Sequence, residues 1–344
     1  MPSGSDLTPR GICDFHVHVG EQIGGLALRD DFRALNRIAI MNGISAIGAF
    51  VTEETGVSLT DKYHRMRKQA EADFGAHVHW HLTPVKASPE ELFPLIKAGC
   101  DIKLYTTYRP AGLYSSYEVI ERWMIDLGDL KPRMLIHCED DAIVTEASDK
   151  HPFRHPFDHT HRRPELAEIT AVERVLDLAL KHSYPVHIVH VSTPGAALLI
   201  QEAKRHLSTI TCETAPHYLI NNEDVLKADH AHRLICSPPY RSESSRGQLV
   251  ELMQDGIFDI LASDHCPFAD AVKDRFKDQP EKVPCGIPGL ETLYSSVFEH
   301  FVRRGIIPLE ALIRMTVTKP AEMMGYTHTL VIPAEAGIQP IKNK

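Results

Sequence analysis

Eight short apolar runs of β-type residues recur along this chain, at 12–16, 44–51, 77–85, 101–105, 134–138, 186–191, 210–214 and 258–262. Amphipathic, helix-length stretches separate them, among them 30–41, 62–74, 165–181, 194–206 and 245–254. Strands that are apolar almost throughout need cover on both faces, and alternation with helices supplies it, so the pattern predicts a parallel sheet wrapped by helices. Eight repeats predict a closed (β/α)8 barrel of the TIM type. An open doubly wound sheet would carry a Gly-rich phosphate turn after its first strand, and the segment from Gly11 to Gly25 is not a G-x-G-x-x-G turn. Residues 235–238 also read as strand-like and compete for the seventh position. A content of 43% hydrophobic residues in 344 is ample for one large core.

The polar residues inside these runs carry the chemical argument. In such barrels the functional face lies at the C-terminal strand ends. Run one ends in His16-Val17-His18, run four holds Lys103 between Ile102 and Leu104, and runs five and six end in His137 and His190. Run eight ends in Asp264. Five strands thus deliver metal-competent side chains to one rim, which packing alone does not explain. Because side chains alternate along a strand, H-x-H puts both imidazoles on one side, where they can share an ion. His137 and His190 can hold a second, and Asp264 can complete the first. An ammonium cannot ligate a cation, but a lysine desolvated in a barrel has a depressed pKa. Its neutral amine can combine with carbon dioxide, giving an anionic carbamate able to bridge two ions about 3.5–4 Å apart, with a shared hydroxide as nucleophile.

The segments HVH, DIKLY, LIHCED, HIVHVST, TCETAPHYL, LASDHCPF and GIPGLET follow one another in an order that resembles the cyclic amidohydrolases. That group comprises dihydroorotases, hydantoinases (dihydropyrimidinases) and allantoinases. The resemblance runs over residues 11–325 and implies a metal-dependent hydrolase that opens a cyclic amide ring. It implies two zinc ions, or other divalent metals, held by His16, His18, Lys103, His137, His190 and Asp264, with a CO2-derived carbamate on Lys103. It further implies Asp264 as general base and Tyr108, five residues after Lys103, as an oxyanion donor. His265, Arg109 and Gly286 are the expected substrate contacts.

Dihydroorotase is the name that CETAPHYL and GIPGLET favour, with hydrolysis of dihydroorotate to N-carbamoyl-aspartate and the reverse. SDHCPF and Tyr108 resemble a hydantoinase or allantoinase instead. The arginine that dihydroorotases place two residues after the second histidine is replaced here by Gly20, and strand two ends in Val51-Thr52 without the usual asparagine. Dihydroorotate thereby loses the bidentate grip on its carboxylate. A non-catalytic binding relative is the reading from another class; such relatives lose metal ligands, and this set is intact. The family also implies a homo-oligomer, dimer or tetramer. Many relatives add a small β-sandwich, which the eleven residues before Ile12 leave incomplete, so the expectation is a barrel at 11–325 with an unrelated mobile tail at 326–344.

The remaining features narrow the context. A formal charge of −9 excludes a general binder of nucleic acid or anionic membrane. No apolar run suits a signal peptide or a span of about 20 residues, and seven cysteines without a C-x-x-C pair read as reduced thiols, so the expected location is cytoplasmic. His77, His79 and His81 alternate along strand three and read as a strand face. His151, His155, His159 and His161 read as a solvated loop, or else a lid. Glu139, two residues after His137, reads as a partner that orients a ligand histidine.

Overall fold

The computed structural model describes residues 10–327. Residues 1–9 and, from 328 on, the expected tail lie outside the described residues. Eight strands form one parallel sheet in sequence order. They are β1 (Ile12–Val17), β2 (Ile44–Thr52), β3 (His77–Thr83), β4 (Asp101–Tyr105), β5 (Met134–His137), β6 (Val186–Ile188), β7 (Thr211–Thr214) and β8 (Ile260–Leu261). Just beyond β8 the chain reaches back to β1: Val17 bridges His265, His18 N donates to His265 O at 2.8 Å, and His265 N donates to His16 O at 3.3 Å. The ring of strands therefore closes through the residues that carry the site. Residues 235–238 stay out of the sheet, because Pro238 and Pro239 have no N–H to give a ladder.

Period-two alternation sorts the strand residues into two cores. Ile47, Leu82, Ile102, Leu104, Ile136 and Ile188 face outward, into a layer shared with Val172, Val175 and Ile200 of the helices Glu165–His182 and Pro194–His206. Cys13, Phe15, Ala46, Phe50, Leu135 and Val189 face inward and fill the barrel with Met323. Lys103 is 1% exposed and stands at an inward position between two outward-facing leucine-type residues. Gly48 lets the filling close up, since a Cβ there would lie 2.3 Å from Phe15 O and 2.4 Å from His81 Nε2. All seven cysteines are free, six of them buried. No described helix is long and apolar enough to cross a membrane.

The histidines of β3 belong to the floor of the barrel. His79 Nε2 lies 2.8 Å from Asp101 Oδ2, Arg133 Nη1 3.2 Å from the same oxygen, and His81 Nε2 3.0 Å from Phe15 O. Burial pushes the Asp101 carboxyl up, but the hydrogen bond from His79, the nearby His81 ring and the Arg133 charge outweigh it and hold the carboxyl below its usual range. A carboxyl so depressed stabilises the fold above its unfolded pKa near 4 and loses that contribution as the pH falls. Asp101→Asn is expected to cost about 3 kcal/mol at pH 7, since it removes the buried carboxylate that pairs with the half-buried Arg133 and holds His79. Denaturant titration should show the deficit shrinking in acid; a constant deficit across pH would mean that packing, not charge, is what Asp101 contributes.

Candidate metal centre

The C-terminal strand ends surround a cavity of about 910 Å³ lined by His16, His18, Lys103, His137, His190 and Asp264. All six expected ligands are thus brought to one wall. His16, His18 and Asp264 present ligand atoms all within 4.8 Å of one another, with His16 Nε2 3.1 Å from Asp264 Oδ1. His137 Nδ1 and His190 Nε2 face each other at 3.0 Å. The far nitrogens are held from behind. His16 Nδ1 meets Glu213 Oε1 of β7 at 2.5 Å, and His137 Nε2 meets Glu139 Oε2 at 2.7 Å. A carboxylate behind an imidazole fixes the proton there and leaves the other lone pair for an ion. Burial lowers the His16 and His137 rings to about 3 and about 4, and lowers His18 and His190 as well, so the neutral, ligating form is the stable one.

Lys103 fits a bridging role better than a structural one. Among the described residues no carboxylate lies within ion-pair distance of its Nζ, which sits 5.2 Å from the Phe50 ring and 4.9 Å from the Tyr105 ring. Burial, against the pull of Glu213 and Asp264, pushes its pKa down to about 8. An amine that is partly neutral near physiological pH, in an aromatic box open to the cavity, is the reactive form toward carbon dioxide.

Two further expected contacts also line the cavity. Tyr108 occupies the left-handed region (φ 68°), a strained conformation for a bulky residue, and its ring lies 4.9 Å from that of His137. Gly286 (φ 139°) has no room for a side chain, since a Cβ would lie 2.4 Å from Cys266 O.

Arg109 and His265 lie outside the cavity lining. Arg109 is 63% exposed, donates to Asp141 Oδ2 at 2.8 Å and stacks on Tyr114, because the left-handed turn at Tyr108 swings the chain away from the cavity. His265 is fully buried behind the wall: Nε2 meets Asp30 Oδ2 at 3.0 Å, and Nδ1 accepts Gly289 N and Leu290 N at 3.2 Å each. With both ring nitrogens occupied, it anchors the segment after β8 and cannot also hold a substrate.

Sequence reasoning missed two supports. Asp14 accepts His16 N at 3.2 Å, Ser263 N at 3.0 Å and the Ser263 hydroxyl, which fixes the backbone just before Asp264 (φ 51°). Glu21 accepts Thr52 N at 2.7 Å and buried Lys62 Nζ at 3.0 Å, while its other oxygen lies 3.9 Å from His18 Nδ1. An acid inside an apolar run is a signal that marks Asp14, as it marks Glu213, whereas Glu21 carries none.

Comparison with known proteins agrees with this geometry. No family model matches the chain. It is 26% identical to a dihydroorotase of Geobacillus thermodenitrificans over 351 residues, covering 97% of this chain and 77% of that protein. It is 26% identical to a dihydroorotase of Lactobacillus acidophilus over 335 residues, 93% of this chain and 74% of the relative. Among solved structures, the dihydropyrimidinase of Brevibacillus agri superposes with a TM-score of 0.85 at 26% identity, over 92% of this chain and 71% of the other. Sequence relatives and structural neighbours converge on one group, and this chain keeps a His/His/Asp cluster at the strand ends. In sequence and in fold the chain resembles the cyclic amidohydrolases, a group of metal-dependent hydrolases. Among the described residues every ion-holding candidate stands on or just after a barrel strand.

Proposed function

We propose that this amidohydrolase opens uncharged cyclic ureides and imides of the hydantoin and dihydropyrimidine kind, at two zinc or other divalent ions. His16, His18 and Asp264 would hold the first ion, His137 and His190 the second, and a carbamate on Lys103 would bridge them. The observation that carries the substrate class is the set of cations around the cavity. Among the described residues no arginine lines it, and its lysines other than Lys103 are Lys86 and Lys282, both exposed. Arg29 is committed to Asp30 and Glu291 at 2.7 and 2.9 Å. A ring carboxylate would therefore lack the planar, two-pronged donor that recognises it best.

Two divalent ions in such a site supply a hydroxide nucleophile at neutral pH and polarise the scissile carbonyl. The protein's own groups do the rest. The Asp264 carboxylate accepts the proton of the attacking water and returns it to the leaving ring nitrogen as the C–N bond breaks. Tyr108, whose hydroxyl burial keeps protonated, donates to the oxyanion that develops on the carbonyl. The product is an open chain bearing the new carboxylate.

Dihydroorotate is the second reading, supported by the names of the curated relatives. It requires Lys86 or Lys282 to fold inward onto the ring carboxylate. Metal analysis together with hydrolysis of dihydrouracil, hydantoin, allantoin and dihydroorotate separates the two. About two ions per chain are expected, with dihydroorotate the poorest substrate by tenfold or more. A preference for dihydroorotate would transfer the assignment to the second reading, and a folded, metal-supplemented protein that binds no ion would sink both.

A further inference from the structure

The His-rich segment after β5 is neither a lid nor simply a solvated loop. His151, His155 and His161 are exposed, but His159 is buried, with Nε2 2.9 Å from Cys236 O and 3.2 Å from the hydroxyl of Ser237, a residue of the cavity wall. Four residues later the segment ends in Arg163, whose side chain is 11% exposed. Its guanidinium grips Glu139 as a fork, Nε on Oε1 at 2.9 Å and Nη2 on Oε2 at 2.5 Å. Glu139 is fully buried and uses the same Oε2 to hold His137 Nε2. The other face of the guanidinium lies 5.0 Å from the centre of the Tyr108 ring. Its backbone is fixed as well: Arg163 O accepts Arg241 Nη1 at 2.6 Å, and Arg241 is anchored on Glu168 and Ser192.

We infer that Arg163 is a positioning residue that sets His137 and Tyr108 together, so that the second metal ion and the oxyanion donor are aligned by one side chain. The inference rests on the metal-hydrolase reading above. Glu139 can hold the His137 ring in one orientation only if its own carboxylate is held, and the Arg163 fork is the side chain that holds it. The planar fork fixes the carboxylate in two directions, which a lysine ammonium cannot do. The left-handed backbone at Tyr108 leaves that ring in need of a surface to rest on, and the guanidinium face is one.

The test compares Arg163→Met, Arg163→Lys, Glu139→Gln and the Arg163→Met/Glu139→Gln double variant, using full-length protein. Cobalt(II) titration of the metal-free chains, followed by absorbance, reads the sites without any substrate. Arg163→Met should bind one of two ions normally and the other about 10- to 100-fold more weakly. With saturating metal its kcat should fall by a similar factor while KM moves less than about threefold, because alignment acts on the transition state. Arg163→Lys should lie between it and the parent. The double variant should be no worse than Glu139→Gln, since both substitutions break one chain of contacts. Wild-type affinity for both ions in Arg163→Met, or additive losses in the double variant, would overturn the inference. Should Arg163→Met fail to fold, Arg163→Lys decides, and parental metal affinity and kcat in that variant overturn it equally. A parent that binds two ions but opens no ring refutes the functional reading while the cobalt titrations still judge Arg163.

Discussion

Lys103→Met is expected to lower ring opening by roughly three orders of magnitude or more while leaving the protein folded. The lysine stands in an inward position between the outward Ile102 and Leu104, with Phe50 and Tyr105 against it and no carboxylate paired to it among the described residues. Its ammonium contributes nothing evident to packing, and methionine fills a similar volume without a charge to desolvate. Thermal stability should therefore hold or rise. What disappears is the proposed anionic bridge. Charge stabilisation by metal ions is worth several kcal/mol, and each 1.36 kcal/mol is a factor of ten in rate. Lys103→Arg should be as inactive, because a guanidinium stays protonated and forms no carbamate. Intact mass measured under mild alkaline conditions should show the parent chain heavier by one carbon dioxide, and neither variant so. Either variant retaining a tenth of parental turnover would refute the bridging role.

Asp264→Asn should also reduce kcat by about 10³-fold, within the range attributed to positioned general bases, but with a different signature. His16 and His18 remain in place, and Glu213 still fixes the His16 ring at 2.5 Å. The amide keeps the shape of the carboxylate and cannot carry the proton. Metal content should accordingly fall less than in Lys103→Met, and KM should change little. Equal loss of metal in the two variants would show that Asp264 serves chiefly as a ligand and that another group moves the proton.

What could be read from the chain, and what could not, follows from the range of the forces involved. Strand alternation is local, so the inward placement of Lys103 and the delivery of His16, His18, His137 and His190 to one rim were legible from apolar runs alone. The seventh strand was ambiguous because 235–238 is as apolar as 210–214; Pro238 and Pro239 decided against it. Arg109 and His265 stand away from the cavity for a related reason. Each follows closely on a site residue with positive φ, Tyr108 (68°) or Asp264 (51°), and one such turn reverses where the next side chains point. Arg163 was invisible because its partner Glu139 lies 24 residues earlier across a loop and two helices, a pairing that no local period encodes.

The division of labour around the cavity has a consequence for how such a protein can change. The candidate ion-holding groups stand on strands, or up to three residues beyond, and are braced by Asp14, Glu213 and Glu139 within the barrel. The outer wall is drawn instead from connecting segments: the turn at 22–26, the stretch 52–58, residues 111–113 and residues 282–286. None of those segments supplies a candidate ligand. Engine and aperture are thus separately mutable, so selection could reshape the ring that enters without disturbing the chemistry that opens it. Loop grafting between relatives should retarget this scaffold more readily than any replacement within its strands.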